Sequence, residues 1–217
     1  MVDGDALLRR APERDRLAYF AEQVKRIVFD LGKERIAGIV GFSAGGIVGL
    51  QLMASMDPAW VARRPLCLLD TYAPRYNARR FSTRRRLVNL LHHPQETLQR
   101  LAARWRHAHG PEADDDGDAW AMTAAHEALQ DDIARATLDP RGIRATLIRS
   151  TEAARRAGVL RRRGSNGFDA SRFRSLAVVP VVMGHMDVIQ RGSPEVAALV
   201  ASALVASAPQ AHAEVPC

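Results

Sequence analysis

The sequence predicts an α/β fold in which helices flank a mostly parallel sheet. Short apolar segments bounded by glycine, proline or charged residues recur along the chain, which is typical of strands that are buried on both faces. A helical pattern separates the first two of these segments, so strand, helix and strand are expected to form a right-handed parallel crossover. The length of 217 residues and the 47% of hydrophobic residues suit one globular domain, which we expect to span residues 1–217.

The elements before residue 75 follow from hydrophobic spacing and from helix and strand breakers. Apolar residues recur at helical spacing between Pro12, which supplies a start signal together with the residue after it, and Gly32, which stops the helix. The apolar segment Ile36–Phe42 predicts a buried strand, Ala44–Ala54 a helix, and Pro65–Leu69 a second buried strand. This order predicts two parallel strands joined by a helix.

Residues 75–140 interrupt this rhythm. They are rich in arginine and contain two helical stretches on either side of a polar loop, so we interpret them as an insertion. The apolar segments 143–149 and 176–183 resume the strand pattern, and Ser193, followed by a proline and a glutamate, opens a last helix. The tail at about 208–217 is expected to be flexible.

The charge and the cysteine content exclude several classes of protein. The formal net charge is +7, but the basic residues, almost all arginines, are spread along the chain without interleaved aromatic residues, so we expect no nucleic-acid partner. No apolar stretch reaches the roughly 20 residues of a membrane span, and the N-terminus lacks the apolar core of a secretory signal. These features predict a cytoplasmic protein without membrane contact. Cys67 and Cys217 match no metal-ligand spacing, which predicts no metal site.

The most informative motif is GFSAGG at residues 41–46, a G-x-S-x-G between a predicted strand and a predicted helix. A serine in such a tight turn projects its hydroxyl above the sheet, which makes Ser43 a candidate nucleophile. Glycines at 41 and 45 are expected because side chains there would clash with the neighbouring strand and helix. The backbone N–H of Ala44, at the helix start, would donate to a developing oxyanion. The alternative is a glycine-rich turn in which the serine has no catalytic role.

A serine nucleophile needs a histidine to remove its proton and an acid to orient that histidine, in the chain order Ser, acid, His. His185 is the one histidine of the seven in the sequence that directly follows a predicted core strand. A glycine precedes it, which places the imidazole on a loop at the carboxyl edge of the sheet, the same edge as Ser43. The alternative is a loop histidine without a role.

Two carboxylates compete for the role of the acid. Asp70 ends the strand that follows the nucleophile helix, so its side chain is expected at the same sheet edge. Glu152 lies just past the next strand, where many serine hydrolases carry their acid. Either residue could instead be a capping or turn carboxylate. Asp187 is too near His185 in sequence to support the imidazole and is interpreted as a turn residue.

Three segments resemble the thioesterase domains that release products from polyketide and nonribosomal peptide assembly lines, members of the α/β-hydrolase superfamily. GFSAGGIVGLQLM is similar to their nucleophile turn and helix, CLLDTYAPR to their strand that ends in the acid, and VVPVVMGHMDVI to their last strand and G-x-H loop. The resemblance implies an α/β-hydrolase-type sheet and a triad of Ser43, Asp70 and His185, with Asp70 rather than Glu152 as the acid. It also implies that residues 75–140 form a helical lid.

The resemblance further implies a reaction. Ser43 would take an acyl, polyketide or peptidyl chain from the phosphopantetheine arm of an acyl or peptidyl carrier protein and release it by hydrolysis or cyclisation, with no cofactor of its own. Two alternatives stay open at this point. One is a noncatalytic or weakened remnant that acts as an interaction module, and the other is a generic serine carboxylesterase.

The chain departs from the family pattern ahead of the nucleophile. Only 42 residues precede Ser43. The family normally has several further strands there, and a loop after one of them supplies the second oxyanion donor. We therefore expect the N-terminal strands of the usual sheet to be missing, which would leave the strand at 36–42 as an exposed apolar edge.

Overall fold

The computed structural model describes residues 10–12, 15–74, 125–151, 164–190 and 194–205. The chain divides into two compact units, one formed by Met1–Phe20 with Pro74–Ala136 and the other by Ala21–Ala73 with Thr137–Cys217. Most of the predicted insertion at 75–140, with its first helical stretch, lies outside the described residues. The prediction of a lid therefore stays a prediction.

In the first unit, residues 125–135 are helical, as the sequence predicts for this part of the insertion. Leu129 and Ile133 of this helix are buried. The backbone N–H of Arg16 donates to Asp132 Oδ2 at 2.8 Å, and the Arg16 guanidinium donates to the carbonyl of Ala125 at 2.9 Å. These bonds tie the start of the first helix to the helical stretch because the Asp132 carboxylate satisfies an N–H that has no partner inside its own helix.

The second unit contains a sheet of four parallel strands in the order β1-β2-β3-β4. The strands are β1 (Ile39–Phe42), β2 (Leu66–Leu69), β3 (Arg144–Ser150) and β4 (Ser175–Val181). The helices are α1 (Arg16–Asp30), whose first residues belong to the other unit, α2 (Ala44–Ala54), α3 (Pro58–Arg63), α4 (Asp187–Gln190) and α5 (Pro194–Val205). The predicted fold class, a parallel sheet flanked by helices, is confirmed.

The two faces of the sheet are covered by different helices. On one face, Cys67, Leu69 and Ile148 form a buried cluster with Val196 of α5. Helix α2 packs against β1 and β2 and buries six of its residues, among them Ile47, Leu50 and Leu52, which are at most 2% exposed. Burial on both faces explains why β2 consists only of apolar residues, since all four of them are buried.

Two element starts and one helix differ from the sequence prediction. Helix α1 begins at Arg16 rather than at Pro12, after Asp15 in a left-handed conformation with φ 59°. Strand β1 begins at Ile39 rather than at Ile36. Just before it, Gly38 lies so close to Pro65 that an added Cβ would stand 2.9 Å from the Pro65 carbonyl oxygen. The sequence does not predict helix α3, in which the carboxylate of the N-cap residue accepts the N–H of the third helical residue at 3.0 Å.

Strand β1 occupies one edge of the described sheet. Among the described strands it pairs with β2 alone, and its Val40 side chain is 45% exposed. An apolar, partly exposed edge was the expectation for this strand. No helix within the described ranges is both long enough and apolar enough to cross a bilayer.

Candidate active site

Ser43 lies in the turn between β1 and α2, at the carboxyl end of its strand. Its backbone adopts φ 51° and ψ −118°, a combination that residues with a side chain rarely occupy and that costs on the order of 1–3 kcal/mol. The Ser43 N–H donates to the carbonyl of Leu69 at 2.9 Å, which joins the turn to the end of β2. The Ser43 hydroxyl makes no capping hydrogen bond to α2. The strained turn therefore leaves this hydroxyl unused by the helix.

The turn is possible because two glycines allow close backbone approach. A Cβ at Gly41 would stand 2.6 Å from the Gly45 carbonyl oxygen, and one at Gly46 would stand 2.0 Å from Thr71 Oγ1. At Gly45, an added Cβ would meet no atom of the described chain within 4 Å. The expectation for position 41 is confirmed, whereas the one for position 45 is wrong. The second crowded position is Gly46, because Thr71, just past β2, packs against it.

Asp70 follows β2 directly and is completely buried. Its Oδ1 accepts the backbone N–H of Ser150 at 3.1 Å and the side-chain amide of Asn166 at 3.3 Å. Its Oδ2 lies 2.6 Å from Nδ1 of His185. A buried carboxylate is stable only when hydrogen bonds replace the water it has lost, and these three groups provide them.

His185 follows β4 on a short loop and its side chain is 29% exposed. Its ring stacks on the ring of Phe42, with centroids 4.7 Å apart and planes inclined by 29°. Phe42 is the residue immediately before Ser43, so the stack places the imidazole beside the serine turn. The loop is held by Asp187, whose Oδ2 accepts the Gly184 N–H at 3.2 Å at the start of α4. Asp187 thus serves the loop, as the sequence predicts.

The structure brings Asp70 and His185 into contact across 115 residues of sequence. A carboxylate at Nδ1 favours the tautomer with the proton on Nδ1, which leaves Nε2 as the basic nitrogen. Ala44 is the first residue of α2, and the first N–H groups of a helix have no intrahelical partner. The site therefore combines an oriented imidazole, a partly buried turn serine and a backbone donor.

Other candidate site residues take no part in this arrangement or stay untested. Glu152, the alternative acid, lies outside the described residues. Cys67 is no alternative nucleophile at neutral pH, since burial within β2 raises the pKa of its thiol to about 11. Within the described ranges, no group of three or more His, Cys, Asp or Glu side chains is placed to hold a metal ion.

Known structures with a similar fold include the thioesterase domain of NocB from the Nocardicin cluster. That domain is 20% identical in sequence, with a TM-score of 0.54 over 87% of this chain and 73% of that chain. The covalent complex of the NocB thioesterase domain with a fluorophosphonate nocardicin G analog gives 19% identity and the same TM-score over 88% and 74%. An enol-lactonase from Burkholderia xenovorans LB400 aligns more loosely, at 21% identity and a TM-score of 0.42 over 86% and 73%.

The fold, a parallel sheet flanked by helices, is similar to that of the NocB thioesterase domain. No model of a protein family matches the chain, and no curated protein matches its sequence. The likeness to the NocB domain is thus one of architecture, in agreement with the fold that the sequence resemblance implied.

The sequence alone does not identify two contributors to this candidate site, Asn166 and Phe42. Both act through contacts between residues distant in sequence, which periodicity cannot reveal. For Asn166 the Asn-Gly pair at 166–167 was a visible turn signal, but it says nothing about the partner of the side chain.

Proposed function

We propose that the protein is a serine thioesterase that releases an acyl, polyketide or peptidyl chain from a carrier-protein thioester. The observation that carries this proposal is the 2.6 Å contact between His185 Nδ1 and the buried carboxylate of Asp70, at the sheet edge where Ser43 follows β1. An acid held in this way orients an imidazole that acts as a base, and the Phe42 stack places that imidazole next to the serine turn.

The reaction has two halves. In the first, His185 Nε2 removes the proton from Ser43 Oγ while the oxygen attacks the thioester carbonyl, forming a C–O bond and a tetrahedral oxyanion. The oxyanion collapses, the C–S bond breaks, and the thiol leaves with the proton from His185. In the second half, water or a nucleophile within the acyl chain gives its proton to His185 and forms a bond to the carbonyl carbon of the acyl-Ser43 ester. The bond between that carbon and Ser43 Oγ then breaks, and Oγ takes the proton from His185.

Two features support the assignment of roles. The N–H of Ala44 lies at the start of α2, where the helix dipole favours a developing negative charge. Asp70 stays in place during the cycle because three partners hold its two oxygens, so it can orient the imidazole and stabilise the imidazolium that forms.

The thioester substrate and the carrier protein are proposed on two grounds. Three sequence segments resemble assembly-line thioesterases, and the fold is similar to that of the NocB thioesterase domain. The net charge of +7 is compatible with an acidic carrier protein, since complementary charge accelerates encounter. No cofactor is part of the proposal, because the carrier brings the phosphopantetheine arm.

The test compares an acyl group attached to a carrier protein as a thioester with the same acyl group in a simple oxygen ester. We expect release from the carrier that is lost in Ser43→Ala and in His185→Ala, while the thermal stability of both variants stays near that of the parent. Equal or faster turnover of the oxygen ester would favour a carboxylesterase. Activity that survives in Ser43→Ala would overturn the proposal.

A further inference from the structure

We propose that Asn166 is a positioning residue that fixes the carboxylate of Asp70 in the orientation needed by His185. The kinetic consequences of this inference rest on the proposed function. The contacts from which it is argued do not depend on the substrate. Asn166 is 4% exposed and lies in the turn at 164–167, which is 96 residues from Asp70 along the chain.

The amide group of Asn166 makes two hydrogen bonds toward the acid. Its Nδ2 donates to Asp70 Oδ1 at 3.3 Å and to the Thr71 carbonyl at 3.0 Å. The carbonyl of Asn166 also accepts the N–H of Ala73 at 3.0 Å. Asn166 thus binds both the carboxylate of Asp70 and the backbone of the residues that follow it.

These bonds determine which carboxylate oxygen faces the imidazole. Oδ1 is occupied by Asn166 and by the backbone N–H of Ser150, so the carboxylate cannot rotate about its bond to Cβ without losing both. Oδ2 is then left for His185. A donor to Oδ1 cannot be replaced by water here, because Asp70 is completely buried.

The experiment uses two substitutions that separate the amide donor from the shape of the turn. Asn166→Gly removes the side chain but tolerates the positive φ of this residue, 50°. Asn166→Asp keeps the size of the side chain and also tolerates the left-handed region, but it replaces the amide donor by a second carboxylate in contact with the buried Asp70, so the two acids compete for one proton. Ser165→Ala is the matched control, since it deletes the 2.5 Å hydrogen bond from Ser165 Oγ to the Phe168 carbonyl in the same turn.

Two measurements are made on all four proteins. The first is the far-downfield proton resonance of the His185 Nδ1–H that is shared with Asp70. The second is the rate at which a fluorophosphonate labels Ser43, together with kcat and KM for the carrier thioester. We expect the resonance to be lost or moved upfield in both Asn166 variants and to stay in Ser165→Ala. Labelling and kcat should fall roughly 10- to 100-fold with little change in KM, and furthest in Asn166→Asp.

A purely structural role predicts a different pattern. Asn166→Gly would then match the parent, because glycine suits the turn as well as asparagine does, and its resonance and labelling rate would be unchanged. That result would overturn the inference while leaving the proposed function intact. If instead the parent releases no acyl chain but the resonance is lost in Asn166→Gly, the proposed function fails and the positioning role stands.

Discussion

The serine turn and the acid pocket lie at the same edge of the sheet but are built by different means. The serine turn is mainly local: Gly41, Ser43 and Gly46 lie within six residues, and the end of the next strand contributes the Leu69 carbonyl and the Thr71 side chain. The acid pocket is assembled from distant segments, since Asp70 binds groups that lie 80, 96 and 115 residues further along the chain. Mainly local steric requirements thus present Ser43, the proposed nucleophile, whereas long-range hydrogen bonds orient His185, the proposed base.

The largest expected effect comes from breaking the acid pocket while leaving the serine turn intact. Asp70→Asn replaces an acceptor by an amide that no longer favours the correct tautomer of His185, and we expect kcat to fall by about 10⁴-fold. The measurement is steady-state release of the acyl chain from the carrier.

Asp187→Asn is the control for that substitution. Asp187 is the other carboxylate near His185, but its Oδ2 accepts the N–H of Gly184 in the loop. Loss of one such bond is worth about 1 kcal/mol, which limits the expected loss to about tenfold. Similar losses in the two variants would show that Asp70 is not the acid.

The next effect concerns the crowded position Gly46 in the serine turn. Gly46→Ala forces a methyl group to within 2.0 Å of Thr71 Oγ1, and we expect it to lower the free energy of unfolding by about 1–3 kcal/mol and to displace Ser43. Gly45→Ala is the control, because no described atom lies within 4 Å of its added Cβ and alanine favours a helix over glycine by up to about 1 kcal/mol. Urea unfolding of both variants measures the difference. A larger loss for Gly45→Ala would contradict this account of the turn.

The smallest effect concerns the contact that joins the two regions. Phe42→Leu keeps an apolar side chain but removes the ring that stacks on His185. Aromatic stacking contributes about 0.5–1.5 kcal/mol, so we expect kcat to fall by roughly 2- to 10-fold, with KM unchanged. Phe42→Tyr keeps the ring and should stay within twofold of the parent, on the order of the smallest stacking contribution. If the leucine variant retained full activity, the stack would have no role in holding the imidazole.

The difference between local and long-range contacts also explains which features the sequence could predict. Helix α2 was predicted to the residue, because the serine turn before it and the breakers after it are local signals. Ser43, Asp70 and His185 could be proposed from the sequence because each lies at or shortly after the end of an apolar strand, and parallel strands bring their carboxyl ends to one edge. The contact of Asp70 with His185 was expected from that placement and from the resemblance.

The remaining features could not be predicted because they depend on tertiary contacts. Nothing near Asn166 in sequence marks it as a partner of Asp70, and the Ser150 bond uses a backbone N–H, which every residue but proline carries. The crowding at Gly46 comes from Thr71, which lies 25 residues away on the neighbouring strand end. Strand β1 starts at Ile39 rather than at the predicted Ile36 because pairing with the neighbouring segment of the chain begins only where the Ile39 N–H donates to the Pro65 carbonyl, at 3.0 Å.

The most direct test of the central claim is to trap the acyl-enzyme. The protein is mixed with a carrier-bound acyl thioester, quenched within one turnover, digested with trypsin and analysed by mass spectrometry. The tryptic peptide Ile36–Arg63 contains only two serines, Ser43 and Ser55, so fragmentation distinguishes them. We predict an acyl group on Ser43 that forms much more slowly in Asp70→Asn. Acylation of any other residue, or equally rapid acylation of Ser43 in that variant, would contradict the account.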